Sequence, residues 1–227
     1  MTSDDVLAGL ARDNACIEYF RFFSFSAATK LQDRLHLVDS ATARIIEGAR
    51  ERKAATNTRF WNALLSMFIE GEAFEESLLA EALYHQPNKS LEDIRADRLK
   101  QFLAAEAVGN RAVNSKVLLR DGSSRHIPLL DFKIALQPGH EKLVQSCARA
   151  LGLSGYILSS GRSYHFIGES LVSESELIDL LANFVLLDPL SDKAWAAHQL
   201  IERSASLRVS GKYGRKPEVI CHTAKDL

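Results

Sequence analysis

The sequence predicts an α+β protein, an N-terminal helical bundle followed by a small antiparallel or mixed sheet with flanking helices. Three observations carry that prediction. Apolar residues recur at helical intervals up to about Val108, short β-rich runs replace them after Asn110, and turn signals in the second half are closely spaced. With 227 residues, 46% hydrophobic and 25% charged, the chain has enough apolar material for one or two domains with a core. The texture change divides it into a helical domain over 1–110 and an α/β domain over 111–227.

In the first half, Ser3, Asp4 and Asp5 offer N-caps for an opening helix. Further helices are expected over 41–52, 58–69 and 72–83, with breaks near Asp39-Ser40, Gly71 and Gln86-Pro87. Ser90 and Asp93 have capping-box spacing ahead of Ile94, Leu99, Phe102 and Leu103, which predicts a fifth helix. The aromatic stretch Tyr19, Phe20, Phe22, Phe23 and Phe25 reads as core at the end of a helix, in preference to a base-stacking platform.

In the second half, 116–120, the turn signal Asp121-Gly122 and 126–134 read as a β-hairpin with a long second arm that Pro138-Gly139 ends. A helix over 141–151 carries Leu143, Val144, Cys147 and Leu151 on one stripe. Two short strands around a Ser-Ser-Gly-Arg turn follow within 152–166, and Ser173 with Glu176 caps a helix through Leu187. A last helix over 192–203 precedes short strands at 206–209 and 218–221.

Composition excludes some functions. No apolar run approaches the roughly 20 residues that cross a bilayer, and the acidic start is unlike a secretory signal, so a cytoplasmic protein without a membrane partner is expected. Cys16, Cys147 and Cys221 lack zinc-site spacing and read as reduced thiols. Gly-x-Ser-x-Gly, His-Glu-x-x-His and Walker motifs are absent, which leaves hydrolase chemistry unsupported. Net charge is −1, divided as −4 over 1–110 and +3 over 111–227. The basic excess gathers in Arg203, Arg208, Lys212, Arg215 and Lys216. These are either a solvated loop or, for Lys212, Arg215 and Lys216, a nucleic-acid contact surface.

A set of segments in the second half arrives in a recognisable order. Leu129-Leu130-Asp131-Phe132-Lys133 is followed by Pro138-Gly139, a helix ending at Leu151-Gly152-Leu153, and then Ser160-Gly161-Arg162-Ser163-Tyr164-His165-Phe166. Glu202 precedes Arg208-Val209-Ser210-Gly211 by six positions. Over 116–220 this resembles the archaeo-eukaryotic-type primases and the related polymerase domains of bacterial DNA-repair ligases. The resemblance implies a core like an RNA-recognition-motif sheet, with the motifs on its face. It also implies partners among nucleoside triphosphates and DNA or RNA, and a role in replication or repair.

Nucleotidyl transfer is an in-line displacement at phosphorus that needs positioning and charge stabilisation, supplied in such enzymes by Mg²⁺ or Mn²⁺ on carboxylates. The resemblance assigns the metal to Asp131, with Asp188 and Glu202 competing for the second acidic role. It assigns phosphate contacts to Ser160, the backbone at Gly161, Arg162, His165 and Arg208. One departure stands out: the strand motif wants a second carboxylate two residues after Asp131, and this sequence has Lys133. A cation there repels divalent metal and pairs instead with Asp131 or a phosphate. Three readings follow: a nucleotide-binding protein with some transfer activity, an inactive nucleic-acid-binding or regulatory subunit whose helical half docks a protein partner, and a structural interaction protein.

Overall fold

The computed structural model describes residues 1–25, 40–56, 58, 60–69, 90–105, 110–211 and 215–224. It divides into two compact units, one of Met1–Phe25 with Asn88–Leu227 and one of Ser26–Pro87. A strand over Ile17–Phe25 pairs with one over Asn110–Leu119, so backbone pairing crosses the division expected at residue 110.

In the first unit, helix α1 (Ser3–Asp13) starts from Thr2, whose hydroxyl accepts from the Asp5 N–H while the Asp5 carboxylate accepts from Thr2. It buries Val6, Leu7 and Leu10. The aromatic stretch is strand β1 (Ile17–Phe25), not the end of a helix. Phe20 and Phe22, two apart, are 0% and 1% exposed, so the core assignment holds while the element differs. The helix predicted from Ser90 begins instead as strand β2 (Leu91–Arg95), with helix only at α4 (Leu99–Ala104). Asp93 accepts two bonds from Arg21 across β1, at 2.8 and 2.9 Å, and Ser90 bonds Ser24, so both capping groups serve strand pairing.

Strand β3 (Asn110–Leu119) joins β1 along one edge. On the other edge it pairs at 112–114 with β8 (Ser206–Arg208) and at 116–118 with β4 (Ser124–His126). Ser115 fills the gap between them. Its hydroxyl lies 2.9 Å from both the Ala205 N–H and His126 Nδ1, and its carbonyl accepts from Ile127 N–H. The expected long arm after the turn is two strands, because Pro128 lacks an N–H for the ladder and marks where the chain changes sheets. Strand β5 (Leu129–Asp131) then opens an antiparallel sheet in the order β5-β7-β6-β9, completed by β6 (Gly155–Ser159), β7 (Tyr164–Gly168) and β9 (Glu218–Thr223).

Three more helices cover this unit. In α5 (His140–Ala150), Val144, Cys147 and Ala148 face inward, and Leu151 after it packs against the same core, so of the expected stripe only Leu143 is exposed. Helix α6 (Glu174–Val185) begins with the predicted Ser173–Glu176 capping box, and α7 (Lys193–Glu202) is capped by Asp192. The second unit contains α2 (Ser40–Thr56) and α3 (Phe60–Ile69), packed through Ile45, Ile46, Ala49 and Leu64. The helix expected over 72–83 lies outside the described residues. Among those described, no helix is long and apolar enough to cross a membrane.

Candidate phosphate-binding site

Leu129 and Leu130 are fully buried, which anchors β5 and leaves Asp131 at its outer end, partly exposed. Backbone pairing sets Asp131 opposite His165 and Leu130 opposite Phe166. Directly opposed residues share a sheet face, so the Asp131 and His165 side chains meet, with His165 Nε2 3.6 Å from Asp131 Oδ1. That exceeds a good hydrogen-bond length. Burial, with Arg208 adding to it, pushes the His165 pKa down to about 3. The imidazole is therefore neutral near pH 7, and the contact is not an ion pair.

Arg208 reaches the same place from β8, which packs beside β5. Its guanidinium donates to the Ser160 carbonyl at 2.8 Å and to the Ser210 carbonyl. Partial burial lowers its pKa, and the Asp131 carboxylate opposes that shift. Two structural links hold this end. Asp192 N–H donates to the Asp131 carbonyl at 3.0 Å, and Trp195 Nε1 on α7 donates to the Ser206 carbonyl on β8 at 2.9 Å. Phe132 packs edge-on against Phe184, which meets Trp195 in turn. Trp195 and Asp192 thus position the site, and the sequence reading missed both. A lone tryptophan inside a helix was the available signal.

The remaining predicted residues divide. Ser160 and Gly161 form the β6–β7 turn, where Gly161 has φ +107°, a conformation that favours glycine. The Ser160 N–H is bonded to the Ser163 carbonyl at 2.9 Å, and the Ser160 and Ser163 hydroxyls are 3.0 Å apart. The Gly161 N–H faces Ser159 Oγ at a long 3.4 Å. Arg162 is exposed on the same turn, and its carbonyl accepts from Leu136 N–H. Lys133 is exposed also, but β5 ends at Asp131, so strand alternation does not extend to it.

Asp188 lies 3.3 Å from Lys193 Nζ. Glu202 ends α7, whose first turn is the end tied to Asp131, so about 15 Å of helix separates the two. Among the described residues no three His, Cys, Asp or Glu side chains gather to hold a metal ion. One carboxylate beside a neutral imidazole and a guanidinium does not fit the Mg²⁺ or Mn²⁺ centre expected of Asp131 and Asp188. Of the basic tail, Lys216 bonds Asp4 and the Leu103 carbonyl, Arg203 pairs with Glu174, Arg215 is exposed, and Lys212 lies outside the described residues. Lys216 is thus engaged within the fold.

A sequence model of the family described as AEP-like, archaeo-eukaryotic primase 1D-like, matches residues 90–221. Nothing matches among curated proteins or among solved structures. The matched region runs from β2 to β9 and contains Asp131, His165 and Arg208.

Proposed function

The chain belongs to the archaeo-eukaryotic primase 1D-like family, and from that premise we propose that it binds the phosphates of a nucleoside triphosphate or of a nucleic acid at the Asp131–His165–Arg208 end of its sheet. The observation that supports this most is the convergence of those three side chains from β5, β7 and β8. Arg208 has five N–H donors, of which two go to backbone carbonyls, so three remain for phosphate oxygens. His165, being neutral, keeps one ring N–H to donate.

The test is calorimetric titration with ATP and, separately, with single-stranded DNA and RNA oligonucleotides. Wild type is expected to bind at least one of these ligands, and Arg208→Gln/His165→Ala, which removes donors to phosphate, to bind at least about tenfold more weakly, the equivalent of about 1.4 kcal/mol. A nucleic-acid ligand would also show steep loss of affinity with salt, which distinguishes it from the free nucleotide. No binding to any of the three would sink the proposal.

The lone carboxylate favours a second reading, in which the protein is a non-catalytic subunit that holds nucleotide or nucleic acid. A primer-extension assay tests it, since elongation of a primer by the protein would refute the non-catalytic reading.

A further inference from the structure

Resting on the phosphate-binding reading above, the geometry points to a site that binds phosphate without any divalent ion, Arg208 supplying beside Asp131 the positive charge that a metal would bring. Two anchors fix the guanidinium, the Ser160 carbonyl in the β6–β7 turn and the Ser210 carbonyl after β8, so it is held in place as a metal would be by ligands. The Asp131 carboxylate acts favourably on that cation. A divalent ion approaching Asp131 would meet a fixed like charge, and among the described residues no further carboxylate gathers with Asp131 and His165 to hold it. Asp188 is near Lys193, and Glu202 is at the far end of α7.

The surrounding charge has the sign that an anion needs. Lys133 and Arg162 are exposed, and each follows a site residue by two positions, Asp131 and Ser160 respectively. The Leu136 N–H to Arg162 carbonyl bond, 3.1 Å, ties their two segments together. Arg208, Lys133 and Arg162 thus bring cationic groups to the segments around Asp131, the sign of charge that attracts a phosphate.

Two measurements test the inference. The first is ATP binding by calorimetry in EDTA and in excess Mg²⁺, where affinity in EDTA is expected to be equal or greater. Binding that requires Mg²⁺ would overturn the inference while leaving the phosphate-binding reading intact. The second is Mn²⁺ titration of the protein alone, followed by the loss of the free-ion electron paramagnetic resonance signal.

Arg208→Gln is expected to bind Mn²⁺ at least about tenfold more tightly than wild type, as removal of a neighbouring like charge should do. The gain should disappear in Arg208→Gln/Asp131→Asn. Arg208→Lys, which keeps the charge, should exclude Mn²⁺ as wild type does. Should Arg208→Gln fail to fold, wild type and Asp131→Asn are compared instead, and equal Mn²⁺ binding is expected. A wild type that binds Mn²⁺ through Asp131 refutes the inference whatever ATP does, and absence of ATP binding refutes only the reading on which it rests.

Discussion

His165 and His126 are both nearly excluded from solvent, and burial holds their pKa values at about 3 and about 4. An imidazole in the unfolded chain takes a proton near pH 6.5, so below that pH the unfolded state binds more protons than the folded one. The stabilising contribution of each group is complete above about pH 6.5 and is lost as pH falls towards the folded value. Carboxylates with lowered values, such as Asp5 and Asp93, act in the same direction but only nearer pH 4. Urea unfolding is therefore expected to lose roughly 2–3 kcal/mol per pH unit near pH 5, about one proton from each histidine. In His126→Asn/His165→Asn the slope between pH 6.5 and 5 should nearly vanish. His165 was legible in the sequence through its motif. The anchoring of Arg208 was not, because its partners are backbone carbonyls, that of Ser210 two residues on and that of Ser160, 48 residues away in the β6–β7 turn, and neither leaves a side-chain signal.

At the level of elements, local signals were trustworthy where the element caps itself. The Ser173–Glu176 box started α6 as expected, but the equally good Ser90–Asp93 spacing did not start a helix. The difference is the competing partner: Arg21 on β1 takes the Asp93 carboxylate with two bonds. The aromatic run went the same way, since β-branched and aromatic residues fit a half-buried pleat once β3 offers an edge. Two substitutions probe elements that hold the site. Trp195→Phe removes the bond to Ser206 and is expected to cost about 1 kcal/mol and to weaken ATP binding, read by urea unfolding and calorimetry. Gly155 opens β6 opposite Gly168, and a Cβ there would lie 2.3 Å from the Ile167 carbonyl oxygen. Gly155→Ala should therefore cost about 3 kcal/mol or more. Gly122→Ala, with open space but φ +82°, should cost only about 1–2 kcal/mol in the same assay.

For the whole molecule, the sequence disclosed the α+β class and most of the second half, and it misjudged what the first 110 residues contribute. Strands β1 and β2 lie there, yet they pair with each other and β1 pairs with β3, and no periodicity of 17–25 alone reveals a partner that begins at residue 110. The sharing of β3 also has a kinetic consequence. Its pairing with β4 closes a tight local turn, whereas its pairing with β8 joins residues more than 90 positions apart. Local closure costs little chain entropy and precedes distant closure. Refolding from urea, followed by pulsed hydrogen exchange, should protect the amides of the β3–β4 hairpin before those of 206–208. Arg208 would then arrive late, and a nascent chain would expose Asp131 without its counter-charge until residues near the C-terminus had docked.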